Sequence, residues 1–115
     1  MYVQSGAHAD QLRPAMRGGD GTVTIRPLAE GGELPEKCRL FARITVPAGA
    51  SIGAHEHQGE CEMFYILEGT PLITDDDQCY RAHPGDCILT HSGHSHAVRN
   101  DTDQPVVMAA CIVKD

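Results

Sequence analysis

Apolar and polar side chains alternate with a period of two along much of the chain. In Cys38 to Val46 (CRLFARITV), Cys38, Leu40, Ala42, Ile44 and Val46 fall on one face and Arg39, Phe41, Arg43 and Thr45 on the other. That is the pattern of a half-buried strand. Glu60 to Leu67 repeats it, with Glu62, Phe64 and Ile66 opposite Cys61, Met63, Tyr65 and Leu67. Thr22 to Arg26 alternates weakly. Leu72-Ile73-Thr74 and Gln78 to His83 flank Asp75-Asp76-Asp77, which reads as a solvated hairpin tip. Cys87 to Thr90, the stretch opening at His96-Ala97-Val98, and Val106 to Val113 supply further short strands. Pro47-Ala48-Gly49-Ala50, Glu68-Gly69-Thr70-Pro71 and Pro84-Gly85-Asp86 turn the chain between them. Roughly eight or nine short strands without a helical period predict an all-β sandwich or barrel. Residues 1–21 are polar and end in Arg17-Gly18-Gly19-Asp20-Gly21, so they read as an N-terminal arm with little structure of its own. Residues 22–115 read as one barrel domain.

His55 and His57 stand two residues apart, directly after a turn, and Glu62 follows five further on. On a strand, side chains at i and i+2 share a face, so the two imidazoles project into one space. Glu62 sits on a face otherwise held by Phe64 and Ile66. A lone carboxylate there is costly unless it is paired or binds a cation. Two imidazoles and a carboxylate on an adjoining strand are the larger part of a metal site.

The net charge of −7, from 9 basic and 16 acidic residues, argues against a phosphate-backbone partner, and the basic residues form no patch. Nucleic acid is therefore not an expected ligand. The start, MYVQSGAHAD, lacks a basic segment followed by an apolar core, and Val106 to Val113 is too short to span a bilayer. Cys38, Cys61, Cys79, Cys87 and Cys111 form an odd set without a CxxC pair, which predicts reduced thiols and a cytoplasmic location. Asn100-Asp101-Thr102 matches a glycosylation acceptor, read as accidental for want of a secretory signal.

The spacing Gly49, His55, His57, Glu62, Gly69 and the spacing Gly85, Gly93, His96, Asn100 resemble the two motifs of the cupins. One position departs from the family pattern, with His91 where proline is usual. The resemblance covers about residues 49–100 and implies a jelly-roll barrel, the double-stranded β-helix. It also implies His55, His57, Glu62 and His96 as metal ligands. Three imidazoles and a carboxylate suit a divalent transition metal such as Fe, Mn, Co, Ni or Zn. Six-coordination would leave two positions for water, substrate or oxygen.

The expected ligand is a small molecule. One reading is a metal-dependent enzyme, of the dioxygenase or oxidoreductase type with a redox-active metal, or an isomerase or lyase acting by Lewis-acid polarisation. Another is a metal-dependent binding or sensory module, and a third a storage or structural role for a bracing metal. The catalytic residues are not assigned. His94, two positions before His96, reads as an exposed loop residue with a place near the pocket as the alternative. His91, His83 and His8 read as solvated. Arg39, Arg43, Arg81 and Arg99 read as solvated edge residues. A homodimer is expected, because pairing covers sheet edges and outer faces. Val106 to Val113, apolar on both faces, is either part of that interface or a centrally buried strand.

Overall fold

The alternation of Cys38 to Val46 places its apolar side chains under a second sheet. The computed structural model describes all 115 residues, and ten strands and two short 3-10 turns make up its regular structure. The strands are β1 (Gln11–Pro14), β2 (Thr22–Ala29), β3 (Cys38–Val46), β4 (Ser51–Glu56), β5 (Glu60–Glu68), β6 (Leu72–Asp75), β7 (Gln78–Arg81), β8 (Cys87–Thr90), β9 (Ser95–Arg99) and β10 (Val106–Lys114). They form two antiparallel sheets, a six-stranded one in the order β1-β2-β3-β10-β5-β8 and a four-stranded one in the order β4-β9-β6-β7. The result is one all-β domain in which two sheets face each other across a single core.

Ala42, Ile44 and Val46 of β3, Phe64 and Ile66 of β5, and Val106, Met108 and Ala110 of β10 line the inner face of the larger sheet. Ile52, Ile73 and Val98 meet them from the smaller one. Burying an isoleucine or phenylalanine side chain stabilises by about 1.5–3 kcal/mol each, so this run holds the sandwich together. Phe64, Ile66, Ile44 and Met108, the inward residues of the alternating strands, are all core. Cys38, placed on that face by the alternation, lies instead with Sγ 3.8 Å from Cys111 Sγ, close to where the β3–β10 register shifts.

Two sequence expectations change, and one open alternative is resolved. Residues 11–18 are not an arm without structure. Gln11 to Pro14 pair with Ile25 to Thr22, and a 3-10 turn at Met16–Gly18 then packs on β4. The first barrel strand is longer than Thr22 to Arg26 and continues to Ala29 past a register shift. The stretch Val106 to Val113 is central, bonded to β3 on one side and β5 on the other.

Asn100, at the end of β9, is fully buried and donates from Nδ2 to Val46 O at 2.9 Å and Gln104 O at 2.7 Å. Thr102 N and Oγ1 donate back to its Oδ1. The nitrogen that a glycan would occupy is committed to the core. No helix is long and apolar enough to cross a membrane.

Candidate metal centre

His55 belongs to β4, and His57 follows one residue after the strand ends. Antiparallel pairing of β4 with β9 puts His96 directly opposite His55. The register of that pair shifts between Ile52 and His55, at Gly53-Ala54. Glu62 comes from β5 in the other sheet, so the cluster draws on both sheets. His96 Nε2 lies 3.0 Å from His57 Nε2 and 3.1 Å from His55 Nε2. Glu62 Oε1 lies 3.1 Å from His57 Nε2 and 3.2 Å from His96 Nε2. The four side chains form a cluster that can hold a metal ion, their ligand atoms all within 4.8 Å of one another.

The other edge of each imidazole decides the electronic state of this cluster. His55 Nδ1 donates to Gly53 O at 2.8 Å, and His57 Nδ1 donates to Glu60 Oε1 at 3.1 Å. His96 Nδ1 lies 2.9 Å from Thr90 Oγ1, and a neutral imidazole donating there completes the same arrangement. With Nδ1 carrying the proton, Nε2 carries the lone pair. Three lone pairs and a carboxylate oxygen then converge on one point. Acceptors do not satisfy one another, and a cation does. The donor set therefore fits a divalent transition metal, with each histidine held by the outer-shell partner that metal-bound imidazoles require.

Electrostatics runs the same way. Burial holds His55 below the usual histidine value, favouring the neutral ring, and the charges of His96, Arg17 and His57 add to this against the Gly53 carbonyl. The Arg39 guanidinium, bonded to both Glu60 oxygens at 2.6 and 2.7 Å, is the main reason that carboxyl is lowered to about 2. Glu60 is thus an anion that faces His57 on one side and Arg39 on the other. Phe64 stacks on the His96 ring, centroids 5.0 Å apart and planes 8° apart, fixing its plane from the core side.

A cavity of about 510 Å³ opens onto His55, His57 and Glu62. Leu12, Leu40 and Ile44 are among its apolar walls, and Arg13, Arg17 and Arg39 bring charge to it. Of the arginines read as solvated edge residues, Arg39 alone lines this cavity, while Arg81 pairs with Asp101 and Arg99 with Asp20. Arg43 lies outside it, on the other side of the larger sheet. His94 is exposed and bonded to Asp76 at 2.6 Å, outside the cluster. His91 and His83 are exposed, whereas His8 is half-buried between Glu30 and Glu33. Sequence reasoning missed Arg13, Arg17 and Glu60. The first two sit in a polar segment without periodicity, and Glu60 differs from other strand-end glutamates only by lying three residues after His57.

The sequence pattern of the family described as Cupin domain matches residues 42–113. A Thermotoga maritima protein described as an oxalate-binding protein is 35% identical over 113 residues, 98% of this chain and 93% of that protein. The crystal structure of a "predicted oxalate decarboxylase" from Thermotoga maritima superposes with a TM-score of 0.94 at 35% identity, covering 100% of both chains. An uncharacterised HTH-type transcriptional regulator of Escherichia coli is 34% identical over 80 residues, 70% of this chain but 26% of the regulator. On its fold, its motif spacing and these relatives, the chain belongs to the cupin family.

Proposed function

We propose that this chain is a metal-dependent cupin that holds a small carboxylate, with oxalate as the first candidate, at an ion bound by His55, His57, Glu62 and His96. The convergence of three Nε2 lone pairs and a carboxylate oxygen at a cavity mouth carries this reading. The description of the 35%-identical relative as oxalate-binding supports the ligand class. Bound there, a divalent transition metal supplies positive charge for a carboxylate in a chain whose net charge is −7. Burial of His57, Glu62 and His96 below 6% exposure keeps water from competing with that charge.

Binding is favoured over turnover by the remaining cavity lining. Apart from His55, His57 and Glu62, the ionisable groups around it are Arg13, Arg17 and Arg39. Guanidinium groups stay charged and do not shuttle protons. Glu60 is clamped as an anion and has no proton to give near neutrality. A ligand-sensing or carrier role fits such a site, and the likeness to part of a transcriptional regulator is in keeping with it. The alternative is oxidoreductase-type or Lewis-acid turnover, favoured by the likeness to a "predicted oxalate decarboxylase".

The test is elemental analysis of protein purified without a metal-binding tag, beside His55→Ala, followed by calorimetric titration with oxalate and an assay for formate. Near-stoichiometric metal lost in His55→Ala, with oxalate bound and no formate, is the expected result. Steady formate release would replace binding by turnover. A wild type that takes up no metal on reconstitution would end the reading.

A homodimer and a cytoplasmic location complete the proposal. Phe41, Cys111, Met63 and Leu89 lie in one cross-strand row on the outer face of the six-stranded sheet, with exposed Tyr65 in the next row. A second copy laid on that face hides them. Five free cysteines, two of them exposed, suit a reducing compartment.

A further inference from the structure

We propose that Arg17, carried on the turn between β1 and β2, is the residue that recognises the charge of an anionic ligand in the metal-centre cavity. The proposal rests on the carboxylate reading above and adds the residue that selects for charge.

Most of the arginines in this acidic chain are spent on acidic partners. Arg26 pairs with Asp10, Arg39 with Glu60, Arg81 with Asp101 and Arg99 with Asp20. Arg13 donates to Gln11. Arg17 lines the cavity that opens on His55, His57 and Glu62, with neither an acidic partner nor a hydrogen-bonded one. A guanidinium offers a rigid fork of donors that matches a carboxylate.

The backbone that carries Arg17 is held in place at some cost. Ala15 (φ 49°) and Arg17 (φ 55°) both adopt the left-handed conformation without being glycine. Such residues persist where the surroundings over-determine them, and they cluster at ligand sites. Here Ala15 N donates to Gly21 O, Gly18 N to Ala15 O, and Asp20 N to Ser51 Oγ at 2.8 Å. Two glycines let the turn sit flush on β4. A Cβ on Gly53 would come within 2.0 Å of Arg17 O, and one on Gly19 within 2.3 Å of Ser51 O. Gly53 O also accepts a hydrogen bond from His55 Nδ1. One residue thus anchors both the turn bearing Arg17 and the first histidine of the centre. The cavity volume of about 510 Å³ lies within the range of small-molecule sites.

The experiment compares Arg17→Gln, Arg17→Lys and Arg43→Gln with wild type. Each protein is loaded with Mn(II), checked for metal content and melting temperature, and titrated calorimetrically with oxalate, malonate and the neutral analogue oxamide. Arg17→Gln is expected to hold its metal but bind the dianions about ten- to a hundredfold more weakly, with little change for oxamide. Arg17→Lys is expected to recover much of that loss. Arg43→Gln removes the same charge outside the cavity and is expected to match wild type. The Gln and Lys variants share the same strained backbone, so their difference isolates charge even if both are less stable. Dianion affinity in Arg17→Gln equal to that of wild type would overturn the role of Arg17 and leave the carboxylate reading standing. A metal-loaded wild type that binds neither oxalate nor malonate would overturn both.

Discussion

Glu60 Oε1 lies 3.1 Å from His57 Nδ1, while both oxygens of the same carboxylate are gripped by Arg39. This joins a surface guanidinium to a buried member of the candidate metal cluster through one anion. Replacing an outer-shell carboxylate of this kind typically costs 10- to 100-fold in metal affinity. Glu60→Gln is therefore expected to weaken metal uptake by that order in a competition titration against a chromophoric chelator. The pH dependence has a definite sign. The Glu60 carboxyl is lowered from 4.5 to about 2, so the folded state binds fewer protons than the unfolded one between those values. Its stabilising effect is complete above about pH 5 and is lost as pH falls toward 2. In metal-free protein, the melting temperatures of wild type and Glu60→Gln should differ at pH 7 and converge on acidification.

Because the four ligand side chains come from β4, its continuation, β5 and β9, an ion there ties two sheets together. Metal bound to the folded state alone stabilises it by about 2.7 kcal/mol at a hundredfold excess over Kd. For a domain of this size that corresponds to a shift on the order of 10 °C. Excess EDTA should lower the melting temperature of reconstituted wild type by that order and leave His96→Ala almost unmoved. Equal shifts in both proteins would count against binding at this cluster.

Cys111 is raised to about 11, first by burial and then by the Cys38 thiol beside it, and Cys61 is also raised by burial. Thiolates, not thiols, are alkylated. At pH 8, iodoacetamide should label exposed Cys79 well before Cys111, and peptide mass spectrometry reads the order directly. The lag should shorten as pH approaches 11. Labelling of Cys111 first would contradict the packing described for β3 and β10.

Leu89 and Tyr65, 49% and 48% exposed, sit on the outer face proposed as a self-association surface. A double substitution, Tyr65→Lys with Leu89→Lys, should halve the mass measured by light scattering at micromolar concentration. Circular dichroism and metal content should be unchanged, because neither side chain touches the inner face. A wild type already at monomer mass removes the dimer.

Where side chains divide cleanly between water and core, the fold was legible in the sequence. Leu40 to Val46 and Glu62 to Leu67 kept their faces, and the buried Glu62 among apolar neighbours marked the candidate centre before any geometry was known. His55 and His57 were legible from spacing and His96 from the family pattern. The strand β1 was not, because an edge strand with Leu12, Arg13 and Pro14 all exposed has no alternation to read. Cys38 broke its face at an irregularity that periodicity does not encode. Arg17 was hidden for a related reason. Its position depends on two left-handed residues and on a glycine more than thirty positions away, neither of which leaves a local signal.

The short strand β9 is fastened to the opposite sheet at both of its ends, by different means. At one end Asn100, next after the strand, reaches across to Val46 through a hydrogen bond that stays made for as long as the protein is folded. At the other, His96 is held by the Thr90 hydroxyl of β8 and the Phe64 ring of β5, both in that opposite sheet, and it lies 3.2 Å from Glu62 Oε1. Side chains of the fold thus tie β9 down at both ends, and its neighbours β4 and β6 hold it within the smaller sheet. An incoming ion therefore meets a His96 ring that is already set in position. The mouth of the barrel is closed by the fold itself, and an ion there adds to that closure rather than creating it.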